Sequence, residues 1–390
     1  MSYVPSSRSY NLPATRPSTM TSTHALLLAS LTVAPVVTAL CPAQEQPAPD
    51  APNASSAQQA ERSYPQLRYP RDKERVIAVV GDRPIQLVDL VLHIEDRHHP
   101  GFEEFLAGPD GKGTPAGARM LESNLIAPWV RQFADICALK AEAEAMEGYD
   151  PEQAEAALSA ALKESFEAHL AAYVDDLQRR GLPTDISQDR IDRILADYQL
   201  RYGLQTEMQG WLDYLQPLQP WTKGELRDFF TDNARVFGGG VTLAHILIQH
   251  RDPGTGILMQ DKQQARAASR LAEVQRRLAA GEDFAELARL FSDDTKTAPQ
   301  GDVFKGVQRF DYRLPPQICR TAWLLKDGQV SDVVETAFGW HLIQRIEHVQ
   351  KKFMLFTDAA VPSIRVTRQR MLQEDLLFKL RDKYGVELKL

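Results

Sequence analysis

Cysteine is scarce in this chain: Cys41, Cys137 and Cys319 are the three in 390 residues. A disulfide-built scaffold is therefore excluded, and stability has to come from burying apolar surface. In an oxidising compartment a Cys137–Cys319 disulfide stays open, but two separate buried thiols are the reading preferred here. A basic surplus is missing too. The net charge of −7 gives no reason to expect nucleic acid or an anionic membrane surface as partner. Long hydrophobic runs are also lacking, since Ala25 to Leu40 is short for a bilayer span of about 20 residues. From Pro42 to about Pro70 even large aliphatic residues are rare, which marks a disordered linker over 42–74. With 43% apolar and 25% charged residues, the remaining length suits two or three globular domains.

The most informative stretch is 241–349. It opens with the strand-like Val241-Thr242-Leu243-Ala244-His245-Ile246-Leu247-Ile248 and closes with Gly339-Trp340-His341-Leu342-Ile343-Gln344-Arg345-Ile346. Each apolar strand carries one histidine. Between them Ala267, Leu271, Val274 and Leu278 recur at helical spacing before Gly281. Asp283 and Glu286 make a capping box for a second helix with the stripe Phe284, Leu287, Ala288 and Phe291. Val330 to Glu335 reads as a strand, and Phe338-Gly339 as the turn into the last one. The order predicts a small α+β domain around one antiparallel sheet.

These residues resemble a parvulin-type peptidyl-prolyl isomerase domain. The resemblance rests on six pieces in order: Ala244 to Ile248, Ala280 to Ala288, Phe291-Ser292-Asp293-Asp294, Gly301-Asp302, Leu325 to Ser331, and Phe338 to Ile343. It implies that His245 and His341 are tandem histidines on adjacent strands and that Asp294 faces the prolyl bond. Ser292 and Thr336 fall at the hydroxyl positions around them. Val303, Leu314, Ile318, Trp323 and Phe338 fall at the substrate-binding positions. The bland alternative for each histidine is a core residue that holds the sheet together. No metal and no cofactor is implied.

The reaction needs little covalent machinery. Rotating an amide costs about 18–20 kcal/mol because conjugation is broken, and unaided X–Pro exchange takes tens to hundreds of seconds. A catalyst needs an apolar slot for the proline ring and polar groups that favour the twisted amide. The chain departs from the family at Gln300-Gly301-Asp302-Val303-Phe304-Lys305-Gly306, where one glycine is lost and another displaced. Arg251 alone is basic in the loop after the first strand, which argues against phosphate-directed specificity.

The N-terminus reads as an export signal over 1–41. Arg8 and Arg16 precede the apolar run, no acid appears before Glu45, and Val37-Thr38-Ala39 suits a signal peptidase. A lipid on Cys41, an uncleaved anchor and a start at Met20 stay open. From Val76 to Ile85 a hairpin opens a second resemblance, to exported chaperone-isomerases of the survival-protein and foldase type. It implies a mainly α-helical chaperone-like domain over 75–240. Stripes at Leu125, Trp129, Phe133 and Ile136, and from Leu158 through Phe166 and Leu170 to Leu177, fit that expectation. Thr222 with Glu225 caps the helix before the isomerase unit. Glu95 to Met120 reads as an insertion or long loop, with His93, His98 and His99 as solvated loop histidines. A helix and short strand over 350–390 are expected to pack back on the helical domain.

Two function classes follow. One is an exported isomerase acting on unfolded or partly folded polypeptides with Xaa-Pro bonds, in the periplasm or cell envelope. The other is a peptide-binding holdase whose isomerase unit is weak or inactive.

Overall fold

The computed structural model describes residues 67–121, 126–252, 256–311, 313–350 and 354–390. The export-signal reading, and the linker reading up to 66, lie outside them. Residues 67–74 depart from the linker expectation, because Leu67 and Tyr69 are buried in the helical core.

That core forms around a hairpin of β1 (Val76–Val80) and β2 (Arg83–Gln86). Gln86 caps α1 (Leu87–Arg97), with Asp89 returning a carboxylate to the Gln86 N–H. The expected long loop after α1 instead contains α2 (Phe102–Ala107) and α3 (Pro115–Leu121). Phe102, Leu106 and Leu121 pin it to the core, which is why it is ordered. Next come α4 (Ile126–Ala145), α5 (Pro151–Arg179), α6 (Gln188–Leu215) and α7 (Lys223–Asp232). Both halves of the Thr222–Glu225 capping box are formed.

The second sheet has the order β4-β3-β6-β5, all antiparallel. Its strands are β3 (Gly239–Ile248), β4 (Val303–Val307), β5 (Val334–Thr336) and β6 (Gly339–Gln350). The long connection holds α8 (Asp261–Ala279) and α9 (Phe284–Phe291), and α10 (Pro316–Leu324) follows β4. The antiparallel sheet flanked by helices, beside a mainly α-helical part, bears out the α+β expectation. Every residue of β3 is buried, because helices cover both faces. Ala244, Ile246 and Ile248 pack with α8 and α9; Val241, Leu243 and Ile343 pack with α10. Burying one such Ile or Leu side chain contributes about 1.5–3 kcal/mol. β5 is shorter than the sequence suggests, and Val330 makes only an isolated bridge to Gln344.

The chain then returns to the helical core. α11 (Val361–Lys383) packs on α4 and α7, and β7 (Glu387–Leu388) pairs with β1. Arg381 grips the buried Asp135 of α4 with two bonds of 2.8 and 2.7 Å. The loop after β3 also crosses the expected boundary at 240. It carries Ile257 into the helical core, and Arg251 there donates to the carbonyls of Leu388 and Leu390. Cys137 and Cys319 are free thiols in different clusters, each pushed up to about 11 by burial. Among the described residues no helix is long and apolar enough to cross a membrane.

Candidate active site

A register shift between Thr242 and Leu243 sets the site. Beyond it His245 lies opposite Ile343, and Leu247 opposite His341. Side chains alternate along strands, so the two histidines become diagonal neighbours on one face. Gly339 makes the turn possible. Its φ is 145°, and a Cβ there would sit 2.5 Å from the Ile248 carbonyl oxygen.

The His245 and His341 rings stack at 20°, with centroids 5.2 Å apart and their Nδ1 atoms 3.1 Å apart. Both are at least 96% buried, at 4% and 2% exposure. Thr336 Oγ1 lies 2.8 Å from His341 Nε2, and Thr336 in turn accepts from the Phe338 N–H at 3.1 Å. On the other side His245 Nε2 lies 3.4 Å from Asp294 Oδ2 and 3.8 Å from Asp302 Oδ1. Those separations are long for hydrogen bonds, so the attraction is chiefly electrostatic.

The 292–294 turn is tied to β3. Ser292 Oγ accepts from the Leu247 N–H at 3.1 Å, and Asp293 accepts from the Gln249 N–H at 2.8 Å. The Asp293 N–H donates to the Leu247 carbonyl at 2.8 Å. Asp294 therefore reaches His245 from a fixed backbone.

Electrostatics separate the groups. The contact with His245 holds the Asp294 carboxyl well below the usual carboxylate range, against the opposing effect of burial. Burial, then the neighbouring His245, pushes His341 down to about 3. Burial raises Asp302, although Ser292 and Thr297 hydrogen-bond it. With Asp294 ionised and His341 neutral, the contacts fit one arrangement of the protons. Asp294 can only accept, so His245 carries its proton on Nε2 and accepts at Nδ1. His341 then donates from Nδ1, and its Nε2 accepts from the Thr336 hydroxyl. The result is a directed hydrogen-bond chain from Thr336 through His341 to His245, whose Nε2 faces the Asp294 carboxylate across 3.4 Å by electrostatic attraction.

The expected substrate-binding residues do not all gather here. Leu314 and Ile318 sit with Ile343 on the histidine face, and Phe338 is exposed at the β5–β6 turn. Val303 pairs with Ala244 and packs on the opposite face, because strand alternation turns it away. Its neighbour Phe304 is the residue edge-on to His245, 5.2 Å between ring centroids. Trp323 packs, like Phe304, against the cluster that holds Leu314, Ile318 and Ile343. It also lies edge-on to His348 and lines a cavity of about 540 Å³ with Asp232, Arg235 and Arg345, whose lining does not include His245 or His341. Phe304 and Thr297 were missed in the sequence; the face Phe304 takes is set by the β3–β4 register, which no local pattern announces.

Asp302 anchors this loop beneath His245. It is fully buried at φ 56°, the one non-glycine with positive φ among the described residues. Aspartate tolerates that region better than most residues. Thr297 bonds its carboxylate, and its carbonyl accepts from the His245 N–H at 3.2 Å.

Comparison with known proteins agrees with this geometry. Residues 245–347 match the rotamase family, described as the PPIC-type PPIASE domain. A Chaperone SurA of Dechloromonas aromatica is 36% identical over 134 residues, 33% of this chain and 29% of that protein. A Chaperone SurA of Nitrosococcus oceani is 31% identical over 31% of this chain and 28% of its own length. A Foldase protein PrsA of Clostridium botulinum is 36% identical over 21% of this chain and 25% of its own. The match thus spans less than a third of each relative. The crystal structure of PrsA from Bacillus subtilis aligns over 80% of this chain and 93% of its own at 16% identity. Its TM-score of 0.22 is too low to support a shared architecture. Residues 245–347 of this chain are a PPIC-type peptidyl-prolyl isomerase domain, of the parvulin kind.

Proposed function

We propose that this domain catalyses cis–trans exchange of Xaa–Pro bonds, in an exported chain that assists protein folding in the periplasm or cell envelope. The arrangement from Thr336 to Asp294 carries the reading. A planar amide places partial negative charge on its oxygen. An anionic Asp294 beside that oxygen disfavours the planar form relative to the twisted one, which lowers the barrier. His245 and His341 hold the anion in place, Thr336 fixes their tautomers, and Ser292 fixes the turn. Leu314, Ile318, Phe304 and Phe338 supply the apolar wall for the proline ring.

The names of the SurA and PrsA relatives support a role on unfolded polypeptides. A holdase reading without turnover has its own observation. The α5–α6 hairpin runs 29 and 28 residues yet buries few side chains of α5, leaving Phe166, Leu170 and Val174 half-buried. Catalysed isomerisation of a short Xaa-Pro peptide decides between them. Turnover by the intact chain that His245→Ala abolishes, with the fold retained by circular dichroism, supports the enzyme. Background rates together with suppressed aggregation of an unfolded client leave the holdase.

A further inference from the structure

The histidines near the end of α1 are not solvated loop residues. His98 is 7% exposed, and His93 is half-buried against Phe133, with ring centroids 4.8 Å apart. Both turn Nε2 toward one oxygen of Glu207, a residue of α6 more than 100 positions later. The separations to Glu207 Oε2 are 2.7 Å from His93 and 2.9 Å from His98. Glu207 itself is 6% exposed.

We propose that His93, His98 and Glu207 form a binding site for one divalent transition-metal ion, with zinc the best-suited occupant. Two imidazole nitrogens and one carboxylate oxygen are the donor set of many three-ligand zinc sites. Each residue offers one ligand atom, and the three lie within 4.8 Å of one another. A zinc ion with bonds of about 2.0–2.2 Å needs its ligand atoms a little over 3 Å apart. The two nitrogen–oxygen contacts, at 2.7 and 2.9 Å, open to that separation with small side-chain shifts.

The surroundings are built for this convergence. Gly203 faces the His98 ring, and a Cβ there would lie 2.7 Å from its Cγ and Nδ1. Only glycine lets α6 approach so closely. Arg97 Nε sits 3.4 Å from the other oxygen, Glu207 Oε1, and turns Oε2 toward the imidazoles. His93 and Glu207 also line a cavity of about 430 Å³. It provides an entry path and room for a water in the open coordination position. Charge around the cavity is balanced, with Arg83, Arg97 and Lys140 facing Glu144, Glu155 and Glu207, so no net positive field repels a cation.

The bound ion would clamp the end of α1 to α6. It would bind the native state and not the unfolded one, and so raise thermal stability by mass action. The test uses the untagged full chain, stripped with a chelator and titrated with Co²⁺ and with Zn²⁺. His245, Asp294 and Asp302 form a second cluster of possible ligands, so His245→Ala serves as the control. The expected result is one equivalent bound, with a low-symmetry visible Co²⁺ spectrum and a Tm several degrees higher in excess Zn²⁺. His245→Ala should keep all three effects, while His98→Ala and Glu207→Gln should lose them. His93→Asn, at the most exposed ligand, covers the case in which His98→Ala does not fold. No binding by the intact chain, or binding that these substitutions leave unchanged, would overturn the proposal.

Discussion

His245 and His341 meet through like atoms, their Nδ1 nitrogens 3.1 Å apart in a stacked pair. Two Nδ1 atoms bond only if one carries the proton and the other does not. The partners at the far ends, Thr336 and Asp294, decide which. Replacing Thr336 with valine keeps the shape and removes the donor. His341 Nε2 is then buried and unpaired, which costs about 1–3 kcal/mol. Thr336→Val should lower urea stability by that amount and kcat/KM by at least about tenfold. Unchanged values in both would remove Thr336 from the chain.

Asp294→Asn separates charge from shape. The Asp294 side chain is 24% exposed, and an amide oxygen can still accept from the Lys296 N–H, now 3.1 Å away. Melting should shift little, while kcat/KM falls by about tenfold or more. A fall in KM-controlled binding alone, with kcat kept, would mean that the carboxylate only seats the peptide.

Acid stability carries the mark of the buried imidazole. His341 is depressed to about 3 in the fold, against about 6.5 in the unfolded chain. The unfolded state therefore binds the extra proton between those values, and stability falls as pH drops from about 6.5 toward 3. The slope approaches about 1.4 kcal/mol per pH unit for one proton. Glu335 adds a separate, lower window. Burial works to raise its pKa, but His250 and Arg251 outweigh that and hold it at about 2. Its contribution is present above about 4.3 and fades as pH falls toward 2. His341→Asn should flatten the upper window and leave the lower one, as read from urea midpoints against pH.

The Arg381–Asp135 pair tests whether α11 belongs to the helical core. Asp135 is 1% exposed, and its two bonds to Arg381 join segments 246 positions apart. Asp135→Ala strands a largely buried guanidinium, at a cost of about 3–5 kcal/mol. Loss of α4 and α11 in one cooperative unfolding step is expected by hydrogen exchange. Independent protection of α11 would contradict it.

Much of the fold could be read in advance where the signal was local. Thr222 and Glu225 stand three apart and form their box, and Phe284, Leu287 and Ala288 share one helix face and are buried. The histidine-bearing strands were legible because an imidazole interrupts an otherwise apolar run. What stayed hidden depends on distant partners. Nothing near His98 announces Glu207, and nothing near Leu67 shows that it enters the helical core. Val303 was misplaced by one strand position, enough to send its side chain to the other face.

The direction of the proton chain is the feature on which the site depends, and ¹⁵N NMR of the imidazoles reads it directly. At pH 7 the intact chain should show His341 protonated on Nδ1 alone, donating toward His245 Nδ1. That assignment should persist down to about pH 5. An Nε2-protonated or doubly protonated His341 at neutral pH would contradict the arrangement and, with it, the role given to Thr336 and Asp294.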